Sequence, residues 1–327
     1  MKYLSIACLT AAVSLGAFAT AKAQGESDPG MGNMGLLRTA SNIYIDEDVY
    51  ENNKTQLNIS HTFGKGDRDA IINIPRATLR VHAADFGYFE AQLPIYTVQG
   101  DVANVYGLGD LSLSYTHMLP DVEGFTYQFM GGLKIGMGTA ALADGKSRPL
   151  PMVYQSNSGT SDFVVGASIT WKKYLTLAVG YQQPFVQYNQ NQYRGLTVTN
   201  EAVYSNKDYP FTRNYYRNGD LMLRLEGQIS SKRIGISAGP LVFYHLRNDL
   251  YEDINNKFRE IDGSEGMTVN LAGNVFYRLG RYGSWKIDVS GGVPVVNRDV
   301  LPDGSARQWV ITPGITYFFN QENILFN

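Results

Sequence analysis

Leu111-Ser112-Leu113-Ser114-Tyr115-Thr116-His117 sets large apolar side chains against small hydroxylated ones, residue by residue. A period of two is sorted onto opposite faces by an extended strand and by no helix. The pattern recurs along the chain. Leu57, Ile59 and Phe63 alternate with Gln56, Asn58, Ser60 and Thr62; Leu221, Leu223 and Leu225 alternate with Met222, Arg224, Glu226 and Gln228. Trp285, Ile287 and Val289 stand against Lys286, Asp288 and Ser290. A soluble sandwich alternates too, but its polar face meets bulk water and seldom carries so much Gly, Ser and Thr. Apolar residues towards lipid and polar ones towards a lumen make the strand of a transmembrane barrel.

The connections carry the same message. About twelve strands (range about 10–14) fit between residues 54 and 319, an all-β, antiparallel, up-and-down barrel. Five links are tight: Ala83 to Asp85, Leu119 to Gly124, Lys172-Lys173, Ser230 to Lys232, and Gly280 to Ser284. The alternate links are mostly long: 97–108, 138–160, 187–218, 247–266 and 297–307, with 64–70 the shortest. Short periplasmic turns, long extracellular loops and an even strand number characterise bacterial outer-membrane barrels. Pro94, Pro184, Pro240 and Pro294 fall in the outer halves of up-going strands, where a missing N–H marks the end of pairing, a bulge or a weakened wall. Pro313, on a down-going strand, fits neither reading neatly.

Residues 1–23 have the form of a secretory signal: Lys2, an apolar stretch from Leu4 to Phe18, then Ala21-Lys22-Ala23 before the cleavage point. The single cysteine, Cys8, lies inside it, so no disulfide, thiol nucleophile or thiolate metal site is expected beyond it. Residues 24–53 precede the first clear strand and include Met31-Gly32-Asn33-Met34-Gly35-Leu36-Leu37, either a lumen plug or a periplasmic tail. Residues 320–327 form a C-terminal tail. No later segment approaches the ~18 consecutive apolar residues of a membrane helix.

With 28 Lys plus Arg against 30 Asp plus Glu, the chain lacks the basic excess of a nucleic-acid binder. Hydrophobic residues at 44% exclude disorder. Catalytic parts are few. His61, His82, His117 and His245 form no closely spaced ligand set, and no nucleophile elbow or phosphate loop is present. An enzyme, a cofactor and a metal site are therefore not expected. Asp46-Glu47-Asp48 and the Asp67/Asp69 pair are acidic enough for Ca²⁺ but are equally explained as solvated clusters.

Strand parity sends Arg76, Arg80, Glu90, Lys134, Arg224, Glu226, Arg278, Lys286 and Asp288 inward. An Arg or Lys facing hydrocarbon at the midplane would cost ~2–4 kcal/mol. These groups either prop the lumen through ion pairs or form a constriction or polar binding patch. Mixed signs argue against strong anion or cation selectivity. The loop after Tyr181 is rich in Tyr, Gln and Asn (Gln187 to Tyr193, then Tyr204, Tyr209, Phe211, Tyr215 and Tyr216), suited either to stacking on rings or to an interfacial girdle.

Phe89-Glu90-Ala91-Gln92-Leu93-Pro94-Ile95, followed by Tyr106-Gly107-Leu108-Gly109-Asp110-Leu111-Ser112-Leu113-Ser114-Tyr115, resembles the phenol-degradation (MetA-pathway) family of outer-membrane transporters. Its motif positions here are Pro94, Gly107, Gly109 and Asp110. Lys134 to Gly138 with Leu150-Pro151 and Ser158 to Asp162, and Val179 to Pro184, are similar to later parts of that family. The loop after Gly136-Met137-Gly138-Thr139 lacks the family's Pro-Thr-Gly, and the chain ends Ile324-Leu325-Phe326-Asn327 rather than on an aromatic strand, with Phe319 the expected strand end. The resemblance implies a barrel similar in style to long-chain fatty-acid and aromatic-hydrocarbon transporters, with a small hydrophobic or aromatic molecule as cargo. The whole reading is a monomeric, porin-like barrel in a Gram-negative outer membrane that passes such a molecule. The rival is a non-transporting anchor whose loops bind a glycan or protein partner.

Overall fold

The computed structural model describes residues 31–39, 44–46, 49–50, 55–66, 69–83, 86–194, 209–231, 233–279, 284–304 and 307–319. The signal and tail assignments, Asp67, Tyr204 and parts of the 24–53 segment lie outside them. Twelve strands make the wall: β1 (Gln56–Gly66), β2 (Ile71–His82), β3 (Gly87–Gln99), β4 (Asp110–Met118), β5 (Phe125–Gly136), β6 (Thr160–Trp171), β7 (Leu175–Gln187), β8 (Asp220–Ser230), β9 (Ile234–His245), β10 (Gly266–Leu279), β11 (Trp285–Val296) and β12 (Arg307–Phe318). Each pairs antiparallel with its chain neighbour, and β12 pairs with β1 to close the sheet. Closure gives every strand of the wall a neighbour on both sides.

Burial is inverted relative to a soluble protein. On β8, Leu221, Leu223 and Leu225 are 44%, 44% and 42% exposed, while Met222, Arg224 and Glu226 are 3%, 1% and 2% exposed. Trp285, Ile287 and Val289 on β11 likewise point out, and Lys286, Asp288 and Ser290 point in. No described helix is long and apolar enough to cross a membrane.

Strand limits differ from the sequence expectation in three places. β1 runs on to Gly66, reducing the 64–70 link to a tight connection. The expected long link 97–108 is largely strand: β3 continues to Gln99, turns where Gly100 N–H bonds the Ala103 carbonyl, and pairs back with Asn104–Leu108. β12 ends at Phe318, and Phe319 N–H bonds the Thr55 carbonyl.

Proline shows its missing N–H locally. Register shifts beside Pro184, and the β10–β11 register shifts where Asn270 meets Pro294. Pro94 lies where β3 exchanges β4 for Asn104–Leu108 as its partner, and its carbonyl accepts the Gly109 N–H. Gly109 fits because a Cβ there would come within 2.8 Å of both Tyr96 and Pro94. At the β12–β1 seam, pairing is interrupted between Gly314↔Ser60 and Trp309↔Lys65. Pro313 falls in that gap, and the Thr62 and Thr312 hydroxyls bridge it at 2.8 Å.

The two strand parities should respond differently to charge. Leu225→Arg, on the lipid side, is expected to cost ~2–4 kcal/mol in reversible urea unfolding from bilayers. Ser290→Arg, on the lumen side, should cost far less.

Candidate functional site: the filled lumen

The nine charged residues assigned inward by parity all lie on the lumen side. Arg76, Arg80, Glu90, Lys134, Arg224, Glu226 and Arg278 are buried, whereas Lys286 and Asp288 are half-buried. They fall into three groups.

The first group is centred on Glu90. Arg80 donates to its Oε2 through Nε at 3.1 Å and Nη2 at 2.8 Å, while the Arg80 guanidinium lies 4.2 Å from the centre of the Tyr88 ring. Arg38, from the segment before the barrel, donates to the same oxygen at 3.0 Å, and Gly35 N–H takes Oε1 at 3.0 Å. Across the lumen Arg224 donates to the Leu36 carbonyl at 3.0 Å and to that of Arg38, and lies 3.5 Å from Glu226. Arg76 reaches Asn33 Oδ1 at 3.5 Å, and Met31 N–H reaches Gln182 Oε1 at 2.9 Å.

Residues 31–39 thus lie inside the barrel, as two short 3-10 turns at Met31–Asn33 and Gly35–Leu37. Met31, Met34, Leu36 and Leu37 pack on an apolar band of the wall: Met130, Val164, Ala178, Met222, Leu241 and Phe243. The wall makes room with glycine. A Cβ at Gly166 or Gly180 would come within 2.8 Å of Leu37. Gly35 has φ +44°, a left-handed conformation that glycine adopts without strain. Met31 lies at the outer half of β7 and Arg38 at the inner half of β3, so this segment descends from the long-loop end.

The second group is Arg278, Lys286 and Asp288. Arg278 lies 4.9 Å from the centre of the Phe276 ring, and Lys286 lies between Phe276 and Phe318 at 5.9 and 5.8 Å. Asp288 is within 3.5 Å of the Asn274 amide nitrogen.

The third group lies at the long-loop end and joins Lys134 to residues that parity alone did not single out. Lys134 bonds Asp110 at 3.2 Å and Asp162 at 3.0 Å, and Asp162 faces Arg217 at 3.4 Å. Arg217 also pairs with Asp220. His245 continues the chain, with Nδ1 at 2.6 Å from Asp220 and Nε2 at 2.8 Å from Asp249, an arrangement that suits a ring donating from both nitrogens. Tyr215 OH donates to Asp249 at 2.6 Å. Burial, with Asp249 and Asp303 nearby, pushes the Tyr215 phenol well above its usual range and keeps it a donor. Arg298 closes the cluster through Asp303 at 2.9 Å and the Ser264 carbonyl at 2.7 Å.

These ion pairs tie the loops over the barrel mouth, and two apolar clusters complete the cover. Tyr193, Tyr209, Leu150 and Tyr154 pack on Ile72, Ile74, Tyr96 and Val98; Met152 and Tyr215 pack with Ala140 and Ile261. Of the loop aromatics suited either to stacking on rings or to an interfacial girdle, Tyr193, Tyr209 and Tyr215 are therefore interior, while Phe211 and Tyr216 are exposed. Among the motif residues, Asp110 is in the ion cluster, Gly109 and Pro94 form the strand switch, and Gly107 lies against Ser156. No group of three or more potential ligands for a metal is found among the described residues.

No family model matches the sequence, and no curated protein matches it either. Among solved structures, an outer membrane channel from Pseudomonas putida F1 aligns with a TM-score of 0.57 at 12% identity, covering 84% of this chain and 98% of that one. The fold is that of an outer-membrane barrel. The NanC and KdgM porins are more distant, with TM-scores of 0.45 and 0.42 at 8% and 9% identity, over 80% and 81% of this chain and 98% and 99% of theirs. These matches do not show the phenol-degradation family suggested by the motif; what the P. putida likeness shows is the fold.

Glu90→Gln removes the carboxylate that Arg80 and Arg38 share. Breaking a buried ion pair by deleting one partner costs about 3–5 kcal/mol. The midpoint of urea unfolding should fall accordingly, and Arg80→Met combined with Glu90→Gln should recover part of the loss.

Proposed function

We propose that the protein is a monomeric outer-membrane channel for passive passage of small molecules, closed in this state by residues 31–39. One observation carries this reading. The barrel is apolar outside and polar inside, yet its lumen is crossed by a segment of the same chain held mainly by side-chain contacts. The P. putida likeness supports the fold on which the reading rests. Loop asymmetry supports an orientation with the long loops outside and the short turns in the periplasm, after export directed by residues 1–23.

The hydrophobic or aromatic cargo implied by the family resemblance also belongs to this proposal. Withdrawal of Met34, Leu36 and Leu37 would leave the apolar band from Met130 to Phe243 as a track between polar stretches. The anchor alternative is less favoured, because much of the aromatic surface it would offer is spent covering the mouth.

Refolded residues 24–327 are expected to show little conductance in planar bilayers. Removing residues 24–53, or placing a charge in the apolar contact with Leu37→Asp, should produce stepwise conductance and solute efflux from liposomes. A barrel that stays closed to ions and apolar solutes after both changes would overturn the channel reading.

A further inference from the structure

The lipid-facing side of the wall carries a groove of about 540 Å³ across β2–β5. Two rows of directly paired, outward-facing residues make it. Leu79, Ala91, Leu113 and Leu133 stand abreast in one row. Val81, Phe89, Tyr115 and Gly131 form the row nearer the short turns. Each row is large except at one position, Ala91 or Gly131. The Tyr115 ring leans away towards the turns, where a Cβ at Gly87 would meet its hydroxyl oxygen at 3.0 Å. Among the described residues, a Cβ at Gly131 would meet no atom beyond its chain neighbours within 4 Å. The groove therefore rises obliquely from the turn end at Val81 and Phe89 to mid-wall at Gly131 and Leu133. One row below it the Tyr115 hydroxyl meets His117 Nδ1 at 3.4 Å. Tyr127 and Trp171, exposed near the same ends of β5 and β6, belong to the aromatic class that occupies the headgroup level.

We infer that this groove is a binding site for a phospholipid, with one acyl chain over Ala91 and Gly131 and the headgroup at the level of Tyr115 and His117. The occupant comes from the bilayer because the groove is continuous with the lipid-facing wall. It comes from the leaflet at the short-turn end, the periplasmic one in the orientation proposed above, because the groove starts there and stops at mid-wall. Between apolar surfaces in a membrane, packing decides what binds. An empty hollow forfeits dispersion contacts on its open side. A chain lying in it touches floor and both flanks, whereas a chain on the smooth wall touches one surface. The lumen lies on the other side of the wall, so the site is independent of whether the barrel conducts.

Native mass spectrometry of the full mature protein, purified from membranes in detergent, tests this. One retained phospholipid per barrel is expected. Gly131→Leu fills the floor of the groove and should lower retention about tenfold, the equivalent of roughly ten lost carbon–carbon contacts. Gly227→Leu is the control. Gly227 also faces lipid, and a Cβ there would come no closer than 3.8 Å to its nearest neighbour, the Ala238 carbonyl oxygen. Retention in that variant should be unchanged. Detergent alone, lipid A or a second copy of the barrel in place of the phospholipid would overturn the site, as would equal loss in the two variants. The unaltered protein decides the first three outcomes even where Gly131→Leu fails to assemble.

Discussion

A bilayer core offers the backbone no hydrogen-bond partner, and the rest of the molecule follows from that constraint. An unsatisfied N–H or C=O in hydrocarbon costs several kcal/mol, so a strand may cross only if both edges are paired. Pairing every edge requires closure of β12 on β1. Closure in turn creates an interior, and the outward demand for apolar side chains drives polar residues into it. The charges in the lumen are therefore a consequence of the wall before they are a functional device.

Once inside, those charges need partners. The barrel solves this in two ways at two heights. Around Glu90 and Arg224 the partners come partly from Arg38 and from the backbone of residues 35–38, so the wall's own electrostatic requirement holds the segment in place. Near the mouth the partners come from Arg217, Asp249, Arg298 and Asp303, on the connections between strands. One and the same rule, that buried ions need partners, produces an inner closure from the N-terminal segment and an outer one from the loops. The apolar band between them fits this scheme, because Met34, Leu36 and Leu37 could not pack against a uniformly charged wall.

Much of this was legible in the sequence because a membrane strand has only two faces. Alternation at Leu111–His117 and Leu221–Gln228 gives the barrel, and the same parity gives the inward charges. Asp162 and Asp220 obey that parity and were within its reach. Arg217, Asp249, Arg298 and Asp303 were not, since a loop has no period to relate a residue to a side of the wall. Parity also says that a side chain points inward without saying which strand it will meet. Arg80 and Glu90 face each other across neighbouring strands, and Lys134 is shared between Asp110 on one neighbour and Asp162, its directly paired position, on the other. The short link after β3 was missed because Gly100-Asp101 lacks the alternation that flags strand, although Val98 and Val105 on either side pair with each other.

The interrupted seam between β12 and β1 bears on how the molecule is made. Thr62 and Thr312, which meet there, are separated by 250 positions in the chain. Joining elements so far apart carries a large entropic cost before any contact repays it, and such pairings form late. Residues 31–39 stand upstream of β1 and lie inside the ring that this junction closes. The junction that completes the ring is thus also the one that encloses its occupant, and chain entropy puts it among the contacts costliest to form.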